Sequence, residues 1–107
     1  MNSNTALTET VFYILLTLTK PLHGYGIMQE ISALTRGRLN LGAGTLYGAL
    51  KNLQKKGWIS EIDSPPDSRD KRAYVITNEG RKVLTAEIDR LAELIDNAHT
   101  VLKGAEK

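Results

Sequence analysis

Three apolar stripes at helical spacing open the chain. Leu7, Val11, Ile14, Leu15 and Leu18 recur every three or four positions and predict a first helix from Thr8 to Leu18. Lys20-Pro21-Leu22-His23-Gly24 ends it, because a proline pushes the residue before it out of helical geometry. Ile27, Met28, Ile31 and Leu34 mark a second helix from about Tyr25 to Leu34. Thr35-Arg36-Gly37-Arg38 closes it, with Gly37 suited to a left-handed cap. Leu39 to Gly44 reads as a short connection. Leu46, Ala49, Leu50 and Leu53 then share one face of a third helix, Thr45 to Lys56, which Gly57 closes.

After Gly57 the period changes. Residues 58–62 (Trp-Ile-Ser-Glu-Ile) and 72–76 (Arg-Ala-Tyr-Val-Ile) are short runs rich in β-formers. Residues 63–71 between them hold two prolines and many charges, so the pair reads as a hairpin with a long solvated tip. Thr77 or Asn78 caps a last helix that runs to about Lys103, where Gly104 ends it. Along it Leu84, Ile88, Leu91, Ile95, Ala98 and Leu102 are spaced 4, 3, 4, 3 and 4, a heptad-like seam widened by Val83, Leu94 and Val101. The predicted fold class is therefore mainly α with a small β-hairpin: a winged helix-turn-helix over residues 1–77 and a C-terminal dimerisation helix over 78–107. A helix this long projects past a three-helix core. Its first turns, with Val83 and Leu84, suit packing onto the chain's own domain; for the rest, a second copy is the simplest cover.

Composition narrows the function classes. With 107 residues the chain holds one small domain, and 41% hydrophobic with 24% charged residues is ordinary globular composition. No cysteine is present, which removes disulfides and thiolate metal sites. The longest apolar stretch, Val11 to Leu18, is too short to span a bilayer and lacks the flanks of a signal peptide, so a cytoplasmic protein with no membrane partner is expected. Residues 1–57 carry six bases against two acids, and residues 58–107 eight against ten. A basic front and an acidic back suit a polyanion on one side only.

Within that front, the third helix carries the candidate chemistry. Opposite its leucines lie Gly44, Thr45, Tyr47, Gly48, Lys51, Asn52 and Lys55. Thr45 suits a thymine methyl or a phosphate, Asn52 an adenine edge, and the lysines phosphate. The plain alternative is an amphipathic helix with a solvated face. Against it, Gly44 and Gly48 each cost about 1 kcal/mol of helix propensity relative to alanine, while they let a backbone come close. Arg38 in the preceding turn, and Arg69, Lys71 and Arg72 at the hairpin tip, add candidate phosphate contacts. Asp63, Asp67 and Asp70 equally support a merely solubilising tip. His23 and His99 lie far apart with no carboxylate set beside them; His23 reads as a turn residue or hydrogen-bonded cap. No nucleophile-base pair, phosphate loop or paired carboxylates appear, so no enzyme activity and no cofactor or metal is expected.

His23-Gly24-Tyr25-Gly26-Ile27, Gly44-Thr45-Leu46-Tyr47 with Leu50 and Leu53, Gly57-Trp58-Ile59, and Arg72-Ala73-Tyr74-Val75-Ile76-Thr77 followed by Glu79-Gly80 together resemble the PadR family of bacterial transcriptional regulators. The motifs run in order over about residues 8–84, and the single C-terminal helix resembles the short subclass. The resemblance implies a homodimeric repressor on an inverted-repeat operator in double-stranded DNA, released by a small-molecule effector, often aromatic or lipophilic, or by a stress signal. It implies that the third helix enters the major groove with the wing beside it. Tyr47 matches the family's recognition-helix tyrosine, and Tyr74 the tyrosine of the second wing strand. Tyr74 shares a strand face with Ile76, which points to core. Some drug-sensing members stack ligands on a tryptophan in the dimer helix. Here the single tryptophan is Trp58, at the wing, and the last helix holds no aromatic. The competing reading is a winged helix that dimerises or docks a protein without specific DNA binding; a neutral third-helix face would favour it.

Overall fold

The computed structural model describes residues 6–63 and 72–105. Helix α1, Glu9–Thr17, starts where the Thr8 hydroxyl accepts a hydrogen bond from the Val11 N–H at 3.2 Å. A two-residue strand β1, Leu22–His23, leads directly into α2, Gly24–Leu34. Helix α3, Ala43–Lys55, is followed by β2, Ile59–Asp63, β3, Arg72–Ile76, and the long α4, Asn78–Ala105.

The sheet differs from the expected hairpin by one strand. Its antiparallel order is β1-β3-β2, with Leu22 opposite Tyr74 and Ile59 opposite Ile76. Two residues after a proline show no alternation of their own. They become a strand because β3 offers a free edge at that place. His23 occupies the N-cap position of α2 with extended backbone but makes no side-chain cap bond to the helix. Helix α3 begins at Ala43, so Gly44 lies in its first turn rather than in the preceding connection. Gly104 falls inside α4 instead of ending it.

Two helix ends share one geometry. At the end of α3, the Trp58 N–H bonds to the Leu53 carbonyl and the Gly57 N–H to that of Gln54, both at 3.0 Å, with Gly57 at φ 79°. This is a Schellman cap with glycine in the left-handed slot. At the end of α2 the same two bonds run from Gly37 to Ser32 and from Arg36 to Ala33. There the slot is filled by Arg36, at φ 55°, and Gly37 follows at φ 78°. The expected left-handed Gly37 is present, but the penalised position is one residue earlier.

The apolar stripes converge on one core. Ile14, Leu15, Leu18, Ile27, Ile31 and Leu46 are fully buried, and Leu50, Leu53, Ile59, Tyr74, Ile76 and Leu84 close around them. Tyr74 is core, as its strand face implies. Two glycines from the motifs are fixed by close approach. A side chain at Gly80 would run into the Trp58 carbonyl oxygen, and one at Gly24 into the Tyr47 hydroxyl. Gly80 therefore lets α4 start against the wing, and Gly24 lets α2 meet α3. The Thr77 hydroxyl joins these parts: it donates to the Gly57 carbonyl at 2.7 Å and accepts from the Gly80 N–H at 3.0 Å.

Helix α4 leaves the body after three turns. Gly80, Leu84 and Glu87 are buried, Leu91 is half-buried, and every described residue beyond Leu91 is exposed. Its 28 residues span about 42 Å, and the radius of gyration, 16.4 Å, exceeds the about 13 Å of a round domain of this length.

Candidate nucleic-acid interface

Leu46, Leu50 and Leu53 pin α3 to the core and so fix what it shows outward. Gly44, Gly48, Lys51 and Lys55, spaced 4, 3 and 4, form the exposed ridge opposite those leucines. No acidic residue lies in α3, and among the described residues neither Lys51 nor Lys55 has an ion-pair partner. The face is thus basic along its middle and slim at its N-terminal end. Tyr47 and Asn52 occupy opposite flanks. Tyr47 is half exposed, with its hydroxyl resting on Gly24. Asn52 is exposed and borders a cleft between α3 and the start of α1. Thr45 is exposed in the first turn.

The arginines stand differently. Arg38 lies in the turn before α3 and grips the Glu9 carboxylate with both terminal nitrogens, Nη1 at 3.2 Å from Oε1 and Nη2 against Oε2. That pairing holds the Glu9 carboxyl below its usual range and Arg38 above its own. Arg72 starts β3 with its Nε 3.3 Å from Glu61 Oε2, while Gln54 of α3 donates to Glu61 Oε1 at 3.3 Å. Both arginines are exposed, yet each shares its charge with an acid. Arg69 and Lys71 lie outside the described residues.

Three features of this surface had no signal in the residue pattern. The first is the contact of Gly24 with Tyr47. The second is Glu87, which is 5% exposed and accepts bonds from Arg90 at 2.7 and 2.8 Å and from the Leu7 N–H at 3.1 Å. These donors, Arg90 first, hold its carboxyl below the usual range against the opposing effect of burial. The third is the position of Trp58, half-buried with Lys56 Nζ 4.8 Å from its ring centroid. Burial, and secondly the Glu61 carboxylate, push the Tyr74 phenol above its ordinary value. Among the described residues no cluster of His, Asp and Glu is arranged to hold a metal, and no helix is long and apolar enough to cross a membrane.

A short helix pair, a basic third helix pinned by leucines and a wing that starts against the last helix together make a winged-helix body. The family model for PadR-like transcriptional regulators matches residues 12–86, from α1 into α4. The chain belongs to this PadR-like family. Members are DNA-binding transcriptional regulators, not enzymes. An uncharacterized protein of Lysinibacillus sphaericus is 32% identical over 92 residues, which cover 85% of this chain and 84% of that one. An uncharacterized 37.1 kDa protein from a Streptomyces fradiae transposon is 35% identical over 74 residues; these are 69% of this chain and only 20% of that longer protein. The crystal structure of a PadR family transcriptional regulator from Eggerthella lenta superposes with a TM-score of 0.72 at 24% identity, over 86% of this chain and 80% of that one. That likeness fixes the winged-helix fold.

Proposed function

We propose that this PadR-like chain is a homodimeric repressor that lays α3 into the major groove of double-stranded DNA and leaves it in response to a small molecule or a stress signal. The observation that carries the DNA face is the ridge of Gly44, Gly48, Lys51 and Lys55: exposed, free of acids and held from behind by three buried leucines. Glycines admit the sugar-phosphate backbone, and the unpaired lysines take phosphate. Thr45, Tyr47 and Asn52 on the flanks supply base and phosphate contacts. Arg38, Arg69, Lys71 and Arg72 serve phosphates beside the groove, Arg38 and Arg72 with charge already shared. The protein acts in the cytoplasm, where its DNA is.

The dimer rests on α4. Ile88, Leu94, Ile95, Val101 and Leu102 are 43–67% exposed on one helix. Ala98 continues the stripe, Leu91 edges it, and Leu84 closes it into the body's own core. Two copies joined along this stripe would set their α3 helices about 34 Å apart, one DNA turn, and so select an inverted repeat. Residues 1–77 are then the reading unit and 78–107 the joining unit.

The test is selection from random DNA by the full chain, followed by gel shifts on the enriched sites and on shuffled controls. An enriched inverted repeat, bound well above its shuffled form, is the expected result. No enrichment over random DNA, with an intact dimer, would replace this reading with a protein-docking winged helix.

A further inference from the structure

Arg38 stands beside the α3 face with its charge already engaged. It lies on the exposed turn that leads into α3, and Glu9 in the first turn of α1 holds its guanidinium. Nη1 donates to Oε1 at 3.2 Å and Nη2 donates to Oε2, a two-point grip between residues 29 positions apart. The turn that carries Arg38 is well fixed. Its own N–H donates to the Thr35 carbonyl at 3.1 Å, the Thr35 hydroxyl accepts from the Leu39 N–H at 3.0 Å, and the Asn40 side-chain amide donates to the Gly37 carbonyl at 2.7 Å. Glu9 is fixed as well. It follows the Thr8 cap directly, at a helix start where the dipole favours a carboxylate. Thr8 and Asn52 line one cleft, which brings the start of α1 to the flank of α3. Lys51 and Lys55 on that face have no acid partner among the described residues, so the pairing singles out Arg38 rather than neutralising the whole surface.

We propose that Glu9 is an internal stand-in for DNA phosphate, an autoinhibitory contact that limits how far Arg38 can engage the DNA backbone. The inference rests on the reading of α3 as the DNA face. A carboxylate and a phosphate present a guanidinium with the same fork of two oxygens, so whichever occupies Arg38 excludes the other. Both partners of this pair are exposed, and exposed pairs are weak, so Glu9 tempers DNA affinity by a few-fold and does not abolish it. Its consequence is a smaller sequence-independent share of the affinity, because each protomer brings less free charge to the phosphates. The plain alternative is a brace that pins α1 to the turn before α3. The two uses part in DNA binding: cutting a brace does not tighten it, whereas removing a stand-in does.

The experiment is a double-mutant cycle on the full chain: native, Glu9→Gln, Arg38→Ala and the two together. Each is titrated with one selected DNA site and its shuffled form over a range of salt concentrations. Glu9 and Arg38 are exposed, so all four chains should fold, which their melting curves check. Glu9→Gln should bind both DNAs about threefold or more tightly at low salt, since phosphate contacts carry no sequence information. Its slope of log affinity against log salt should steepen by up to about 1.8 for two protomers. Arg38→Ala should cost little in the native chain and remove the whole gain in the Glu9→Gln chain. Unchanged or weaker DNA binding by Glu9→Gln overturns the inference and leaves a brace. A gain that persists without Arg38 also overturns it, because Glu9 then acts only as a repelling charge. If the native chain binds DNA and the cycle is additive, this inference alone fails. If neither the native chain nor Glu9→Gln binds DNA, the reading of α3 fails and takes this inference with it.

Discussion

The winged-helix body and the distal half of α4 carry equally regular apolar stripes and end in opposite conditions. In the body, Leu46 on α3 is fully buried, and its neighbours at helical spacing, Leu50 and Leu53, are 1% and 2% exposed. On α4, Ile95 and Leu102 sit on a stripe of the same kind and are 58% and 61% exposed. A stripe states that a face wants cover. It does not state who supplies it. In the body the cover is the rest of the chain, so those residues determine stability. On α4 none of the described residues supplies it, so those residues are the ones the proposed association would use.

The same substitution should therefore act differently in the two regions. Leu46→Ala should cost about 2–5 kcal/mol and lower the melting temperature by ten degrees or more, to order of magnitude. Leu102→Ala should leave the fold of each chain nearly unchanged and act on the dimer dissociation constant. A thermal melt and sedimentation across concentration check the pair. Equal effects of the two substitutions on a monomer's melt would erase the contrast. Ile88→Asp with Ile95→Asp should go further and yield monomers by sedimentation; an intact dimer would move the seam off this stripe.

Next in size is Gly80→Ala. The added methyl meets the Trp58 carbonyl oxygen and lies 2.8 Å from Ile76 Cγ1. Overpacking of this kind costs about 1–3 kcal/mol, read as a shift in the denaturation midpoint. A neutral result would mean that α4 can pivot off the wing. The smallest effect has the opposite sign. Arg36→Gly relieves a left-handed residue in the cap of α2 and should stabilise the body by up to about 1 kcal/mol. A loss of stability there would show that the Arg36 side chain does more than tolerate its slot.

Glu87 stands where the two regions join, and it gives the contrast a pH signature. Arg90 and the Leu7 N–H hold its folded pKa below the unfolded value of about 4.3. Its stabilising contribution is thus complete above that unfolded value. It declines as pH falls, and it is lost below the folded pKa. Denaturation midpoints between pH 6 and 3 should fall more steeply for the native chain than for Glu87→Gln. Parallel curves would mean that Glu87 does not tie α4 to the start of α1.

What the sequence made legible follows the reach of each interaction. The three leucine-lined helices, the wing and the capping Gly57 depend on neighbours within a turn or two, and all were readable. So was the composition of the α3 face. Strand β1 was not, because Leu22 and His23 have no pattern until Tyr74 and Ala73 of β3 lie beside them. Glu87 was not, because a carboxylate within an apolar helix reads as solvent-facing, and its partner Leu7 is 80 residues away. The cleft that Asn52 borders was least visible of all: Val11 of α1, Ala49 and Leu53 of α3 and Val83 of α4 line it from distant parts of the chain, and nothing local distinguishes Val83 or Ala49 from ordinary packing residues. The pairing of Arg38 with Glu9 and of Arg72 with Glu61 likewise joins distant segments, and it separates these two engaged arginines from Lys51 and Lys55, which have no ion-pair partner among the described residues, in a way composition does not show.

That division leads to the most direct test of the α3 face. Binding of the native chain and of Lys51→Ala to one selected DNA site is titrated by fluorescence anisotropy over a range of salt concentrations. Each phosphate contact contributes about 0.9 to the slope of log affinity against log salt, so losing one from each of two protomers should flatten it by about 1.8. Affinity should fall on matched and shuffled DNA alike. Arg38→Ala, whose charge is already shared, should change the slope less. An unchanged slope and affinity for Lys51→Ala would contradict the placement of α3 against the DNA backbone.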